Sequence, residues 1–519
     1  MKKQAFYLGM GFLMLSLPSL GQQLAKGVVF DDQNQNGTKE RREKGIAGVS
    51  VTNGLQVVQT DEKGRYELPV GNDQIIAVIK PGNYDVPVDD NQLPQFFYIH
   101  KPDGSPELKY PGVAPTGPLP KKINFPLVKH ESGDDFKMIL FGDPQVYTED
   151  EVRYYEQGVI AELRGAEGYV FGMSLGDLVG NRPDLFNPYI AATKQVGVPW
   201  YNVMGNHDLN FDVTADSLSD EAFEAHFGPS TYAFNQGKVH FIVIDDILYP
   251  DPRDGDGYWG GLTDQQLTFI ENDLRYVPKD HLVVLAFHIP FTSAYRKKDR
   301  DRLFELLQPF PHTLSFSAHT HRQSHFFLTG DHGWLRDEPH HHYNAGTTSG
   351  NWYSGRFNDA GVPASMMADG TPKGYALVSF DGNQYQIDYK VAGKPATHQI
   401  GIFAPKVTAA GIRGSITIYA NFYMGGANDT VQVRIGDGKW TTMKRVEEYD
   451  PTFVAERIAW DRTETIWEGR KPGEPSISNH LWKLNVANRK LKRGNHTIEV
   501  RATDMFGRTF TEKASLTVR

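Results

Sequence analysis

The chain has 519 residues with 54 Lys plus Arg against 63 Asp plus Glu, a net charge of −9, and 39% hydrophobic residues. That length asks for roughly three domains, the apolar content excludes global disorder, and the acidic balance offers no basic stripe for nucleic acid. Zero cysteines exclude disulfides, thiolate metal sites and a cysteine nucleophile, so any metal must sit on imidazole or oxygen ligands.

At the amino end, Lys2 and Lys3 precede a largely apolar run from Ala5 to Leu20, closed by Ser19-Leu20-Gly21. A short basic region, an apolar stretch and small residues before the cut form the pattern of a secretory signal, here residues 1–21. The expectation is an exported chain, periplasmic or extracellular, with no transmembrane span once the signal is removed. Residues 22–130 carry short strand-like runs between turns. Val49 and Val51 alternate with Ser50 and Thr52, and the Pro- and Gly-rich stretch Pro106 to Pro120 closes the region. This predicts a small antiparallel β-sandwich. Within it, Asp32, Asn34, Asn36, Gly37, Thr38 and Glu43 fill every fixed position of D-x-[DN]-x-[DN]-G-x5-E. Oxygen ligands at positions 1, 3, 5, 7 and 12 with glycine at 6 suit Ca²⁺. The segment also resembles the calcium-loop repeats of bacterial surface β-sandwich modules, which makes its expected role structural.

Residues 131–393 change rhythm. Apolar runs of strand length (Phe136–Phe141, Tyr169–Ser174, Trp200–Met204, His240–Ile244, Leu282–Phe287 and Thr313–Ser317) alternate with amphipathic stretches. Leu267, Ile270 and Leu274 repeat at helical spacing behind Thr263, an N-cap residue. Strand alternating with helix predicts an α/β layered domain. Residues 394–519 return to β-like text, with Asp504–Gly507 as the turn of a last hairpin. A second β-sandwich is expected there, with an excursion at Asp450–Ser478 that matches no element.

Polar residues gather where the central strands end: Asp143 and Gln145 in FGDPQ, Asp177 in GDLVGN, Asn206, His207 and Asp208 in GNHD, His288 in FHIP, and His319 and His321 in AHTH. Open α/β sheets bind ligands at the carboxyl ends of their strands. Carboxylate, amide and imidazole groups there suit Zn, Mn or Fe.

This five-block order, over about Gly133 to Val391, resembles the calcineurin-like metallophosphoesterases and their DxH, GDxx, GNH(D/E), H and GHxH pattern. The resemblance implies an α/β fold, a layered β-sandwich core flanked by helices, here with two all-β sandwich accessory domains of the kind found beside this core in gut-type bacteria. It implies two divalent transition-metal ions, Mn, Fe or Zn. Asp177 would bridge them, Asp143, Gln145 and His321 would complete one site, and Asn206, His288 and His319 the other. A metal-bridging hydroxide would attack a phosphomonoester or phosphodiester, with His207 near the leaving oxygen and Asp208 orienting its ring. Two departures stand out: Gln145 where the first block ends in His, and Ala318 where Gly precedes HxH. Asn181 and Arg182, just after Asp177, either contact phosphate or lie on a solvated loop. The segment carrying Trp352 and Tyr353 is either a pocket-rimming loop like that of the family, with one ring able to stack on a leaving group, or a plain turn. Tyr258 and Trp259 either line the crevice or, as the favoured expectation, are buried against the helix that follows, and His340, His341 and His342 are expected to be exposed or incidental. The expected partner is a phosphorylated small molecule, lipid headgroup or glycan. A catalytically weak surface protein binding a glycan or another ligand, with Gln145 marking decay, is the alternative from another class.

Overall fold

The computed structural model describes residues 23–130 and 133–519; the signal segment expected at 1–21 lies outside the described residues. Near the amino end two four-stranded sheets face each other. One is built on the Gln23–Asp31 strand, paired antiparallel to Arg65–Val70 and parallel to Phe125–Lys129, and the other on Ser50–Thr52 and Gln74–Ile79. Alternate residues such as Ala25, Val29, Val51, Leu68 and Ile76 are buried between them, the period-two pattern of half-buried strands.

The central region is two sheets back to back. The first runs in the order Trp200–Val203, Phe171–Leu175, Asp135–Phe141, Gly374–Asp381 and Gln384–Val391, its first three strands parallel. The second runs Tyr232–Gln236, Val239–Val243, Leu282–Ala286, His312–Ser317, His340–Asn344 and Ser324–Leu328, with the middle four parallel. Parallel strands covered on both faces read as continuous apolar runs, as Leu282–Ala286 does, buried throughout. Successive residues serve different layers. Met138, Leu140, Val284 and Phe316 meet the other sheet, while Ile139, Phe141, Val283 and Leu285 meet helices. The helix Asp264–Leu274 begins with a reciprocal capping box between Thr263 and Gln266 and buries Phe269, Ile270 and Leu274.

Two further sheets follow, built on Ser415–Phe422 with Ile477–Ala487 and on Gly494–Thr503 with Thr509–Val518. Asp504–Gly507 makes the last hairpin turn, with Gly507 at φ 77°. The excursion without an assignable element contains the helix Pro451–Asp461, capped by the Asp450 carboxylate, which accepts from the amides of Thr452 and Phe453.

Both flanking regions are fastened to the centre by buried polar groups. Lys101 bonds Glu221 at 2.5 Å and Lys80 donates to the Asn235 carbonyl at 2.6 Å, while His480 meets Asp369 at 3.1 Å. Among the described residues no helix is long and apolar enough to cross a membrane.

The three consecutive histidines depart from expectation. His340, His341 and His342 are all buried, because their strand lies inside the sheet with a neighbour on each side. His340 and His342 share Ser315 at 2.8 and 2.7 Å, and His341 points the other way to His325 and the Tyr385 hydroxyl, both at 2.8 Å.

Candidate metal centre

Every block of polar residues leaves a strand at its carboxyl end. Asp143 and Asp177 stand two residues beyond Asp135–Phe141 and Phe171–Leu175, Asn206 three beyond Trp200–Val203, and His288 and His319 two beyond Leu282–Ala286 and His312–Ser317. The strands come from both sheets, so the five loops converge across the top of the sandwich.

The turns are sharp. Eight of the eleven non-glycine residues with positive φ among the described residues are Asp143, Gln145, Asp177, Asn181, His319, His321, Trp352 and Tyr353. Backbone held in this costly region persists where surroundings enforce it, and such residues cluster at functional sites. Gly205 supplies the close approach: a Cβ there would sit 2.0 Å from the Asp177 amide nitrogen and 2.4 Å from its carboxylate.

Asp177 is the hub. Its Oδ1 accepts from the His207 amide at 2.9 Å and lies 3.3 Å from His288 Nε2, and its Oδ2 accepts from Gln145 Nε2 at 3.0 Å. His288 Nδ1 donates to the Leu175 carbonyl at 2.8 Å, which leaves Nε2 facing Asn206 Oδ1 at 3.1 Å and His319 Nδ1 at 3.2 Å. His321 donates through Nδ1 to the Gly350 carbonyl at 3.0 Å and turns Nε2 toward Asp143 Oδ1, 3.9 Å away. In both rings a carbonyl fixes the tautomer that leaves Nε2 free to ligate. Asp143 accepts the His319 amide with both oxygens at 3.1 Å.

Charge is unbalanced here. Asp143, Asp177 and Asp208 are buried within one constellation. Burial pushes the Asp143 carboxyl well above its usual range, helped by the like charge of Asp177. Burial opposes ionisation of Asp177 too, but His288 and His207 hold its carboxyl below the usual range. Burial would lower His288, yet the Asp177 and Asp143 carboxylates lift it to about 10. Burial and the His288 charge lower His319 to about 3, and burial lowers His321 to about 4. A proton on His288 thus supplies positive charge that a cation would supply better. Asp177, His288 and His319 offer three ligand atoms all within 4.8 Å of one another. Gln145 Oε1 is buried and accepts no hydrogen bond, although its Nε2 is committed to Asp177. An orphaned acceptor oxygen beside buried carboxylates and imidazoles is what a cation site requires.

The expected roles shift in detail. Asp208 does not orient the His207 ring; it accepts from the amides of Leu178, Val179 and Gly205 at 3.1, 3.0 and 2.9 Å. Burial and the Asp177 charge raise its carboxyl to about 8 against those donors. Asn181 takes the orienting part, with Oδ1 2.6 Å from His207 Nδ1. Arg182 is committed to an exposed pair with Asp184 at 2.6 Å. Tyr353 is buried, donating to the Pro144 carbonyl at 2.6 Å, whereas Trp352 stacks on His321 with ring centres 4.2 Å apart. Tyr258, instead of being buried, keeps 36% of its surface exposed and meets His319 edge-on at 6.1 Å.

Sequence reasoning passed over Tyr147, which meets His207 edge-on at 6.1 Å, and Asp246, which accepts the amides of His288 and Ile289 at 3.1 and 3.0 Å. Asp246 follows a parallel strand end as the ligands do, and that position was the available signal.

Both flanking regions reach the rim. Tyr110 donates to the Asn181 carbonyl at 3.3 Å and accepts through its own carbonyl from Asn210 at 2.8 Å. On the other side Asn351 accepts the Gly473 amide at 2.9 Å and Gly355 donates to the Arg470 carbonyl at 2.7 Å. Arg356 forks onto Glu456 at 3.1 Å and covers the Trp467 ring. Burial and Asp177 push the Tyr147 hydroxyl up to about 12, with the Arg470 charge opposing.

The Asp32–Glu43 segment is a closed loop remote in sequence from these ligands, in which Asp32 and Glu43 are buried and Asn34 and Asn36 exposed.

Comparison with known proteins places these observations. Residues 136–323 match a family model described as calcineurin-like phosphoesterase. Residues 33–110 and 342–510 match models of the N terminal and the C terminal of calcineurin-like phosphoesterase. A probable glycerophosphodiester phosphodiesterase GpdQ of Arcobacter nitrofigilis is 25% identical over 162 residues, 29% of this chain and 55% of that protein. The chain thus spans about half the length of that curated relative. The purple acid phosphatase PPD1 of yellow lupin (Lupinus luteus) seeds aligns at 12% identity over 66% of this chain and 67% of that one, with a TM-score of 0.36.

Proposed function

We propose that this chain, a calcineurin-like phosphoesterase carrying the N- and C-terminal modules of its family, hydrolyses a phosphomonoester or phosphodiester with the help of two divalent cations, and does so after export. The observation that carries the reading is the meeting of His288 with both Asp177 and Asn206, beside Gln145, whose Nε2 bonds Asp177 and whose buried oxygen accepts nothing. Asp143, Gln145, Asp177 and His321 would hold one cation, and Asp177, Asn206, His288 and His319 the other. Bound there, the pair would supply Lewis acidity toward a phosphoryl oxygen and an acidified water.

The chain's own groups do the rest. The Leu175 and Gly350 carbonyls aim His288 and His321, and the Asp246 carboxylate holds the His288 amide. His207 stands at the partly open edge, its side chain 28% exposed. Asn181 ties its Nδ1, so Nε2, 4.0 Å from Asp177 Oδ2, is the atom that delivers a proton to a leaving alkoxide. Tyr147, Tyr258 and Trp352, each against one histidine, form an aromatic rim that would receive the organic part of the ester. The relative of probable glycerophosphodiesterase activity supports keeping diesters among the substrates. Export rests on the basic and apolar segment Lys2 to Gly21.

Metal analysis of the purified chain, run beside aryl phosphate and bis-aryl phosphate assays, tests the reading. About two equivalents of Mn, Fe or Zn and turnover of at least one ester are expected. A fully loaded chain that cleaves neither would instead favour a binding protein on a phosphoesterase fold.

A further inference from the structure

We propose that the loop Asp32–Glu43, in the amino-terminal sandwich, is a calcium site that locks this module. Five oxygen-bearing positions recur there at the spacing of a twelve-residue calcium loop: Asp32, Asn34, Asn36, Thr38 and Glu43. A second, independent observation points to a cation. Glu43 is only 7% exposed, its Oε2 accepts from the Glu40 amide at 2.8 Å, and its Oε1 is buried with no partner. A carboxylate oxygen shut away without a donor is costly unless a positive charge meets it.

The rest of the loop keeps side-chain oxygens with spare acceptor capacity. Asp32, 1% exposed, accepts from the amides of Asn36 and Gly37 at 3.2 and 2.8 Å, spending one lone pair on each oxygen. Asn34 and Asn36 accept only the amides of Asn36 and Thr38, at 3.2 and 2.8 Å. Lys39 reaches the Glu40 and Glu43 carbonyls at 2.7 and 2.5 Å, so its ammonium is spent on backbone oxygens. Two carboxylates match one divalent charge. An all-oxygen set without imidazole or thiolate favours Ca²⁺ over Zn²⁺, and a flexible loop of many oxygens favours it over Mg²⁺.

The loop's base shows what binding would secure. The Asp31 amide donates to the Lys44 carbonyl at 2.9 Å, the Asp32 amide to the Leu127 carbonyl at 2.9 Å, and Phe30 bridges Gly45. Closing the loop on a cation would therefore pin the first strand of the sandwich to its last.

The test uses the full chain stripped with chelator, titrated with CaCl₂ alone, beside the Glu43→Gln variant. Calorimetry is expected to find one calcium equivalent in the parent that the variant lacks. The first thermal midpoint should rise by about 4 °C or more at millimolar calcium in the parent only. Should Glu43→Gln fail to fold, the doubly substituted Asn34→Ala, Asn36→Ala chain, altered at exposed side chains, replaces it. Equal calcium responses in parent and variants, no response in either, or an equal response to Mg²⁺ would overturn the proposal. The Glu43 comparison reads the loop alone, so its failure leaves the reading of the catalytic centre intact.

Discussion

His288 and His319 stand just beyond two neighbouring strands of the six-stranded sheet, and His340, His341 and His342 stand inside another strand of that same sheet. Both groups are largely buried, and both would pass a count of histidines as metal ligands. Their neighbours separate them. The first group faces Asp177 and the Asn206 amide oxygen, with the Leu175 carbonyl fixing the His288 tautomer and Asp143 accepting the His319 amide. The second group faces Thr313, Ser315, Ser317 and Tyr385, hydroxyls that can donate or accept as a neutral ring demands. Burial lowers His340 to about 3 and His341 and His342 well below the usual range, and the hydroxyls they bond carry no charge to restore them. Imidazole becomes a candidate ligand when its second nitrogen is tied down and its first faces acceptors that cannot satisfy it.

The sharpest way to break this contrast is Asp177→Asn, which removes the shared carboxylate of the first group. Hydrolysis is expected to fall by at least about 10³-fold, since a preorganised charge at the reacting centre is lost, while circular dichroism stays unchanged. Next comes His207→Ala, for which turnover should fall about 10²–10⁴-fold as general-acid assistance is lost. Its metal content, read by elemental analysis, should stay at the parent level. In the second group, His342→Ala should reverse the pattern. It removes one hydrogen-bond partner each from Ser315 and Ser317 and opens a cavity, costing about 2–4 kcal/mol in urea unfolding, while kcat stays within about twofold.

Acid should expose the same difference. In the unfolded chain these histidines protonate below about pH 6.5, while folded His340 and His325 stay neutral down to about 3. The unfolded state then binds more protons, so stability is present above pH 6.5 and is lost as pH falls toward 3, by about 1.4 kcal/mol per pH unit for each unmatched proton. Urea midpoints of the metal-free chain at pH 7 and pH 5 would check the sign, and His340→Phe should flatten the slope. The smallest effect belongs to Trp352→Ala, which removes a face of the opening and is expected to raise KM a few-fold at nearly constant kcat.

Much of the candidate centre was legible because its proposed ligands sit at a fixed structural address, two to four residues past a parallel strand, where short motifs such as GD and GNH record both the turn and the polar side chain. Gly205 shows why: the glycine is dictated by contact with Asp177, so the motif encodes packing as well as chemistry. The aromatic rim was less legible. Tyr147 and Tyr258 are placed by loop paths that no periodicity encodes, and Trp352 and Tyr353 are adjacent residues sent to opposite fates by two successive positive φ values. The histidine strand was misjudged because His-His-His has no apolar alternation to announce burial. Serines on the neighbouring strand make that burial affordable, and a pairing register is not written in either segment alone.

The contacts from Arg470 and Gly473 to the loop carrying Trp352 have a consequence for how such an enzyme diversifies. The proposed cation ligands all belong to the central fold, but the loop beside Trp352 is held in part by the carboxy-terminal region. Exchange of that module, or drift in its 462–476 segment, can therefore alter which esters enter without disturbing a single ligand. Recombination can work on the doorway while the hearth stays unchanged.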